Sequence, residues 1–351
     1  MHPQKLRFLF LYSRLPDYFY RCVEYLVSVE YPDALAWIVC HEGEDDAPYR
    51  FEGITPNIRI SSKAELQEID SWNPDLIYVA GWADKKYNKI AGRWKAKVPV
   101  ILGVDNPWKG TIKQRIATIF AGNFLNNIAT HVWVPGCRQY EFVRRLGFSP
   151  SKILFHLYCA DSRKFYRTDM PFRKRIIYAG RMVAYKRPDW LTEVFASLIT
   201  TFPELGDWEL LMVGNGPLYE PLKQQYGGFS QISMMPFTQP EKLVELYHDS
   251  CIFCMPSLNE HWGVVAHEAA AAGLALLLSD SYGAASAFLI HGFNGYVFRS
   301  KEKYHFQQQL LNLMRLEEQD LTTMGKRSRQ LSATINHTTW SANLTSVLND
   351  A

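Results

Sequence analysis

The sequence has 351 residues, which is long enough for about two domains of average size. Its 47% hydrophobic and 14% aromatic content is typical of globular proteins and excludes intrinsic disorder, collagen-like repeats and low-complexity polymers. No apolar run reaches the ~18–20 residues that cross a bilayer, and the N-terminus lacks a signal-peptide core. Six scattered cysteines are too few for a disulfide framework and fit a reducing cytosol. We therefore expect a cytoplasmic protein of enzyme size.

The net charge of +3 is unevenly distributed along the chain. Residues 1–170 carry +5 and the remainder carries −2. The window from Lys85 to Arg145 holds 12 basic residues and 2 acidic ones, Asp105 and Glu141. Such a window attracts polyanions: nucleic acid, an anionic membrane or a phosphorylated substrate. A solvated helix surface explains the same charge, so both alternatives stay open.

Short apolar runs with aromatic and β-branched residues alternate with helical segments in the first half. Runs of this kind are typical of strands that are buried on both faces of a parallel sheet. They cover residues 6–12, 34–40, 75–80, 98–103 and 130–135.

Two segments between these strands have the spacing of amphipathic helices. In 84–96 the apolar positions are Tyr87, Ile90, Ala91 and Trp94, opposite a stripe of Lys85, Lys89 and Arg93. In 110–125 they are Ile112, Ile116, Ile119 and Phe120, with Lys109 and Lys113 nearby. We expect both apolar faces to pack on the sheet and the cations to point outward, where an anionic membrane is a candidate partner. Trp94 is expected in the core, while Trp82 and Trp108 are candidates for a membrane interface.

The periodicity breaks around 160–174 and the alternation of strand and helix then restarts. Strands are expected at 175–180, 208–213, 232–235, 251–255, 274–279 and 295–298. Helices are expected from about 187, 217, 240 and 263, and the tail from 302 to 350 is predicted to be helical without a further strand. This order predicts an α/β protein with two doubly wound units facing each other across a cleft. Ligands of such sheets bind beyond the carboxyl ends of the strands.

Two segments directly after strands carry candidate ligand-binding residues. In 180–186 (GRMVAYK), Arg181 and Lys186 provide two cations that suit a diphosphate, although a solvated loop has the same composition. In 213–217 (VGNGP), Gly214 begins a tight turn that opens a helix. A nicotinamide fingerprint is excluded there, because Tyr219 occupies the third glycine position. A close ligand contact and a plain βα turn remain as alternatives.

The segment 256–273 (PSLNEHWGVVAHEAAAAG) is the most informative. Glu260 lies in a loop, Gly263 opens a helix, and Glu268 lies one to two turns inside that helix. A helix N-terminus offers unpaired N–H groups and a positive dipole end to a phosphate. Since eight positions separate the two carboxylates, they reach two parts of an extended ligand, for instance a sugar and a ribose.

Glu260 and Glu268, with seven residues between them, resemble the E-x7-E signature of glycosyltransferase family 4, which comprises retaining enzymes with the GT-B fold. The neighbouring motifs occur in the family's order: 180–186, 213–217, Pro256-Ser257, Gly263, Gly273 and Asn294-Gly295. The stretch from Cys159 to Phe165 resembles the family's interdomain segment, and 73–77 (NPDLI) resembles its short Pro-Asp strand. The likeness covers about residues 73–300 and is strongest in the second half.

The resemblance implies a role for each matching residue. Arg181 and Lys186 would bind the donor diphosphate, Glu268 the ribose and Glu260 the sugar hydroxyls. Amides around Trp262, Gly263 and Val264 would contact the phosphate and the sugar, and the glycine turns at Gly180 and Gly214 would line the donor site. No metal is implied, and the nucleotide sugar is a co-substrate whose base, uridine or guanosine, stays undecided.

The sequence departs from the family in three loops. The Gly-Gly pair usual after the first strand is replaced by Ser13-Arg14-Leu15-Pro16-Asp17, and the Gly-x-x-Glu after the last motif strand by 283–287 (GAASA). Asp105 stands where relatives often present histidine. It is interpreted either as a cleft carboxylate that acts on the acceptor or sugar, or as the cap of an Asp-Asn-Pro turn.

Two metal motifs are rejected. Glu44-Asp45-Asp46 is interpreted as a solvated turn, and Cys251 and Cys254 fall on opposite faces of a strand without a second pair.

The resemblance implies an N-terminal acceptor-binding domain at 1–165, a donor-binding domain at 166–335, and a last helix at 336–351 that can return to the first domain. The implied function is transfer of a hexosyl or related sugar from a nucleotide diphosphate to a hydroxyl of a glycan or lipid-linked acceptor. Surface polysaccharide or glycoconjugate synthesis is the expected setting. The alternative is a catalytically silent sugar-nucleotide-binding protein. No nucleic-acid partner is expected, and the location is cytoplasmic, with the inner membrane face as a candidate.

Overall fold

The structure, a computed structural model, describes residues 5–40, 55–166 and 172–349. The chain folds into two compact units, one of Met1–Cys159 with Ile335–Ala351 and the other of Ala160–Thr334. The first unit ends at Cys159, slightly before the boundary placed at residue 165 from the sequence. The last segment of the chain groups with the N-terminal unit.

The N-terminal unit is built on a parallel sheet. Its strands are β1 (Arg7–Leu11), β2 (Leu35–Val39), β3 (Ile58–Ser61), β4 (Leu76–Val79), β5 (Val100–Gly103), β6 (His131–Trp133) and β7 (Ile153–Leu154). They are ordered β3-β2-β1-β4-β5-β6-β7, and each neighbouring pair is parallel. The five apolar runs of the first half all form strands as predicted. Strands β3 and β7 were not predicted, because one is only partly buried and the other has two residues.

Helices cover both faces of this sheet and come from both ends of the chain. They are α1 (Asp17–Tyr25), α2 (Ile69–Trp72), α3 (Lys85–Trp94), α4 (Ile112–Ile128), α5 (Cys137–Arg145) and, from the C-terminal segment, α14 (His337–Thr345). A π-helical stretch, Leu26–Glu30, continues α1, and 3-10 turns occur at Lys63–Glu68, Pro150–Lys152 and Ser346–Asn349.

The C-terminal unit repeats the design. Its strands are β8 (Arg175–Ala179), β9 (Glu209–Val213), β10 (Ile232–Met235), β11 (Ile252–Met255), β12 (Ala275–Ser279) and β13 (Gly295–Phe298). They are parallel and ordered β10-β9-β8-β11-β12-β13. The helices are α6 (Ser162–Phe165), α7 (Pro188–Thr201), α8 (Tyr219–Tyr226), α9 (Pro240–His248), α10 (Val264–Ala272), α11 (Ala285–Phe288), α12 (Lys303–Met314) and α13 (Glu318–Ser332). Further 3-10 turns lie at Ala184–Lys186 and Pro203–Leu205.

These strands and helices agree with the sequence pattern. Every strand expected in the second half is present, and the tail after β13 is helical. Within the described residues, none of the helices combines the length and the apolar character that crossing a bilayer requires.

Helix α3 packs as its periodicity predicted. Tyr87, Ile90, Ala91 and Trp94 are buried, and the stripe of Lys85, Lys89 and Arg93 is exposed. The Asp84 carboxylate caps the helix by accepting hydrogen bonds from the backbone N–H groups of Lys86 and Tyr87.

Helix α4 does not pack as predicted. Its apolar positions Ile112, Ile116, Ile119 and Phe120 are 78%, 52%, 71% and 73% exposed. The helix instead buries Leu125 and Ile128. This other side packs closely because Gly122 has no side chain: a Cβ at that position would overlap the backbone carbonyl oxygen of Leu146. Because α4 has apolar residues on more than one side, periodicity alone selected the wrong face.

The C-terminal segment contributes to the core of the N-terminal unit. Trp340 on α14 is fully buried, with its ring 5.0 Å from Trp133 and 5.6 Å from Phe19. Its indole N–H donates to the carbonyl of Leu157 at 3.0 Å. Asn336 caps α14 through a reciprocal capping box with Thr339. The last helix is therefore an integral part of this unit.

We predict that Trp340→Ala lowers the free energy of unfolding by about 3–5 kcal/mol, because it leaves a large cavity and an unpaired carbonyl. Urea denaturation measures the effect. The matched control is Tyr304→Ala, since Tyr304 is 71% exposed and its loss should stay within about 0.5 kcal/mol. Equal shifts in the two variants would contradict a core role for Trp340.

Candidate functional site

The carboxyl ends of the C-terminal sheet provide the candidate site. Chain order runs outward from β8 to β9 and β10, then returns to β11 on the other side of β8. The edge between β8 and β11 is therefore a topological switch point, where open parallel sheets bind ligands. Segments 180–186, 214–217, 256–263 and 280–283 follow β8, β9, β11 and β12 at this edge.

An ion pair connects the two loops that flank the switch point. Lys186 Nζ lies 2.7 Å from Glu260 Oε2, and the two side chains are only 12% and 15% exposed. Lys186 ends the 3-10 turn after β8, and Glu260 lies in the loop after β11. In such a sheltered place each charge compensates the other, so neither is left unpaired. The structure thus brings together two predicted site residues that are distant in sequence.

Arg181 lies in the same turn as Lys186 but is exposed. Its backbone carbonyl accepts a hydrogen bond from the Tyr178 hydroxyl at 2.8 Å. Burial and the neighbouring Glu260 carboxylate raise the pKa of Tyr178 well above its usual range, so the hydroxyl stays protonated and keeps donating. A buried tyrosine on β8 therefore holds the turn that presents Arg181, a contact that the sequence pattern did not reveal.

The turn at Gly214 packs against the turn that carries Gly180 and Arg181. Gly214 has a φ of +137°, and a Cβ there would overlap the carbonyl oxygen of Gly180. The N–H of Met182 donates to the carbonyl of Asn215 at 2.7 Å. The sequence is compatible with a close ligand contact or with a plain βα turn at Gly214. In the structure the close contact is between two backbone segments, and it requires glycine at this position.

Helix α10 begins beside the ion pair. Gly263 is its N-cap, with a φ of +90°, and a Cβ there would overlap the Tyr282 hydroxyl. That hydroxyl donates to the carbonyl of Gly263 at 3.3 Å. At the start of α10 the Ala266 N–H donates to the Gly263 carbonyl at 3.1 Å. The N–H groups of Val264 and Val265 precede the first residue that can bond within the helix, so they are available to an external acceptor. The Trp262 side chain is buried, so only its backbone can face a ligand.

Glu268 lies one turn inside α10, as predicted, and is half-buried. Its Oε2 is 3.5 Å from the Tyr247 hydroxyl.

The preceding residue, His267, is fully buried: Nδ1 accepts from the Ala160 N–H at 3.1 Å, and Nε2 donates to the Ser332 carbonyl at 3.0 Å. His267 is therefore a neutral structural histidine that connects α10 to the start and the end of its unit.

Asp105 belongs to the N-terminal unit and follows β5. Its Oδ2 accepts a hydrogen bond from the Tyr158 hydroxyl at 3.2 Å. Burial, with nearby tyrosines and Asp105, raises the pKa of Tyr158 well above its usual range, which keeps this donor protonated. The N-cap of α4 is Thr111, whose hydroxyl accepts from the Gln114 N–H. Tyr158 thus holds the Asp105 carboxylate, and Thr111 rather than Asp105 caps α4.

Further residues of the N-terminal unit with shifted pKa values were missed by sequence reasoning. Tyr12 and Tyr78 are buried, and burial with the negative charge of Asp105 raises the pKa of both hydroxyls. His156 has a φ of +64°, a strained conformation for a residue other than glycine, and burial lowers its pKa. In the sequence, tyrosines within apolar runs look like core residues, and His156 belongs to no motif that would mark it as functional.

The candidate metal ligands lie outside this set. Glu44-Asp45-Asp46 falls outside the described residues. Burial raises the pKa of Cys251 to about 12, which disfavours the thiolate that zinc requires. Cys22, Cys159 and His337 of the N-terminal unit are buried, with potential ligand atoms within 4.8 Å of one another. Structural zinc takes four ligands, and none of these three is a predicted site residue.

Residues 167–331 match the family model described as glycosyl transferases group 1. This segment contains every predicted site residue except Asp105.

Curated relatives show the same likeness over part of their length. A D-inositol 3-phosphate glycosyltransferase of Rhodococcus erythropolis is 32% identical over 30% of this chain and 25% of that protein. An uncharacterized glycosyltransferase of Haemophilus influenzae is 30% identical over 35% of each. The chain spans about a quarter to a third of the length of these relatives.

Solved structures share the fold along the whole chain. Anabaena HepE in complex with UDP has a TM-score of 0.75 and 13% identity, covering 99% of this chain and 100% of that one. Sucrose-phosphate synthase from Thermosynechococcus elongatus has a TM-score of 0.72 and 14% identity, covering 99% of each. Together with the two parallel sheets, these neighbours confirm the α/β GT-B fold. The family model and the curated relatives support glycosyl transfer as the activity of this chain.

We predict that Lys186→Met and Glu260→Gln each lower the free energy of unfolding by on the order of 2–3 kcal/mol. The predicted loss of stability is smaller than that for a fully buried ion pair, because both side chains retain some solvent contact. The double variant should lose clearly less than the sum of the two, since neither charge is then left uncompensated. Urea denaturation of the four proteins gives the coupling.

Lys174 and Asp207 provide the matched control for this cycle. Their N–O distance is also 2.7 Å, but the side chains are 43% and 59% exposed. Lys174→Met and Asp207→Asn should each change stability by less than about 1 kcal/mol. Additive losses at Lys186 and Glu260 would contradict the coupled pair.

Proposed function

We propose that the protein transfers a sugar from a nucleotide diphosphate sugar to a hydroxyl group of an acceptor. The observation that carries this proposal is the Lys186–Glu260 ion pair at the switch point, beside the N-terminus of α10. It lies within the segment similar to group 1 glycosyl transferases. Cation, carboxylate and helix N-terminus are the groups that a charged diphosphate with an attached sugar requires.

In this proposal the donor binds to the C-terminal unit. Arg181 and Lys186 contact the diphosphate, and the first N–H groups of α10 contact its oxygens. Glu260 accepts hydrogen bonds from sugar hydroxyls, and Glu268 does so from the ribose. Lys186 is held by Glu260 before the donor arrives, so its ammonium is already positioned for the phosphate. The base is uridine or guanosine; the UDP bound to HepE supports the first.

The proposed reaction breaks the bond between the anomeric carbon and the diphosphate oxygen. The bonding electrons stay on the diphosphate, where Lys186, Arg181 and the α10 dipole stabilise the new charge. The acceptor oxygen attacks from the same face, and its proton passes to the leaving phosphate oxygen, so configuration is retained. No protein nucleophile takes part. The cationic side chains do the work that a divalent metal does in other transferases.

The acceptor is assigned to the N-terminal unit, where Asp105 orients the reacting hydroxyl. The carboxylate is held by Tyr158, which fixes its position without neutralising it. We propose a glycan or lipid-linked acceptor and a role in surface polysaccharide or glycoconjugate synthesis, with a hexosyl or related sugar as the transferred group.

We predict that Arg181→Ala and Lys186→Ala each reduce turnover more than tenfold at saturating donor. Each variant loses charge-assisted hydrogen bonds to the leaving diphosphate, worth about 1.5–3 kcal/mol. Release of nucleoside diphosphate from a panel including UDP-glucose and GDP-mannose provides the assay. Lys174→Ala, which removes an exposed cation from the same unit, should leave turnover unchanged.

Near-normal turnover in both variants would contradict the assignment. The fold of each variant is checked by thermal melting, and Arg181 is exposed, so its loss should be tolerated. A wild-type protein that is stabilised by a nucleotide in melting experiments but turns over no donor would instead be a silent sugar-nucleotide-binding protein.

We also predict that turnover persists in excess EDTA, because the proposed charge stabilisation comes from Arg181, Lys186 and α10. The measurement compares rates before and after chelation with the active donor of the panel. Complete loss of turnover, restored by Mg²⁺ or Mn²⁺, would overturn metal independence.

A further inference from the structure

Helix α4 exposes a continuous apolar stripe. Ile112, Ile116, Ile119, Phe120 and Phe124 are 78%, 52%, 71%, 73% and 46% exposed. Their spacing of three or four residues places them on one side of the helix. Because Leu125 and Ile128 are buried on another side, the stripe is not the face that holds α4 to its unit. Contiguous exposed apolar surface of this kind marks an interaction site.

Basic residues accompany the stripe. At 100° per residue, Lys113 falls between Phe120 and Phe124 in the first turn of the helix, while Arg115 falls beyond Ile119 at one edge of the stripe. Both are exposed, and Lys109 precedes the helix by three positions. No aspartate or glutamate occurs between residues 106 and 140. The helix therefore presents apolar side chains together with one cation among them and one at their edge, without an acidic residue of its own.

We propose that α4 inserts this stripe into the surface of an anionic membrane, with its axis in the plane of the interface. An exposed apolar face accompanied by Lys and Arg and free of acidic residues is typical of interfacial helices, where apolar side chains enter the lipid and the long basic side chains reach the headgroups. A second copy fits less well. A symmetric contact would bring the same patch against itself and oppose its cations, whereas anionic headgroups neutralise them.

The structure changes which residues make the membrane contact. Trp82 and Trp108, candidates for the interface from the sequence, pack against the core instead. The Trp108 ring stacks on Phe142 and lies beneath the Arg145 guanidinium. On α3, Arg93 pairs with Asp70 at 2.8 Å, which reduces the charge of that stripe. The contact is therefore assigned to the aliphatic and phenyl side chains of α4, together with the neighbouring cations Lys109, Lys113 and Arg115.

The proposal stands apart from the donor chemistry, because α4 belongs to the N-terminal unit and contains no proposed donor contact. It deepens the proposed function in one respect: a lipid-linked acceptor would lie at the surface to which this unit binds.

Flotation with vesicles tests the proposal. Wild-type protein should float with vesicles of equal parts phosphatidylglycerol and phosphatidylcholine at low salt, and much less with phosphatidylcholine alone. Ile116→Ser/Phe120→Ser should reduce the bound fraction roughly tenfold or more. The matched control is Ile290→Ser/Tyr304→Ser, which removes two apolar residues with nearly the same exposures, 53% and 71%, from the C-terminal unit.

The basic residues of α4 have their own variant and control. Lys113→Glu/Arg115→Glu should weaken binding to the anionic vesicles, whereas Lys301→Glu/Lys326→Glu, with the same change of charge at exposed positions elsewhere, should not. All variants should keep the wild-type melting temperature and its shift by nucleotide, which separates a failure of membrane binding from a failure of donor binding.

Two results would overturn the proposal. One is flotation of the stripe variant that equals that of wild type. The other is a wild-type dimer without lipid, seen by analytical ultracentrifugation, that the stripe variant dissociates while neither protein floats. In that case the stripe would be a contact between two copies of the chain.

Discussion

The meeting of Lys186 and Glu260 depends on strand order more than on any local motif. Their loops are neighbours only because the chain returns from β10 to place β11 against β8. Backbone contacts then fix the loops: Gly214 packs on Gly180, and Gly263 packs on Tyr282. With the main chain held in this way, the two charges meet at 2.7 Å in a place that solvent hardly reaches. If these loops moved apart, each charge would lose its partner in a place with little solvent, which is costly.

Most strands and the location of the site could be predicted from the sequence. Strands buried on both faces of a parallel sheet appear as short apolar runs, and ligand residues follow them. Strand β3 (IRIS) escaped because only Ile58 is buried, and β7 because two residues carry no period. The contact between Lys186 and Glu260 could not be predicted from local patterns, since spacing along the chain does not give the lateral order of strands.

Sequence reasoning failed where one residue type has two uses. Tyr12, Tyr78 and Tyr158 look like core residues in the sequence, yet the charge of Asp105 contributes to the raised pKa of each hydroxyl group. Helix α4 shows the same difficulty for apolar residues. Periodicity detects an apolar face, but the face that packs is chosen by close fit, here at Gly122 against Leu146. The glycine was visible in the sequence, but its partner was not.

The exposed apolar face of α4 is energetically unfavourable in water. Five large apolar side chains in water favour self-association, and burying each of them would gain about 1.5–3 kcal/mol. The cations of α4 oppose self-association because two copies of the patch would bring like charges together. The same charges are neutralised at an anionic surface, where the apolar side chains also leave water. A single helix can thus disfavour self-association and still favour an anionic surface, and both effects follow from the placement of Lys113 within the stripe and Arg115 at its edge.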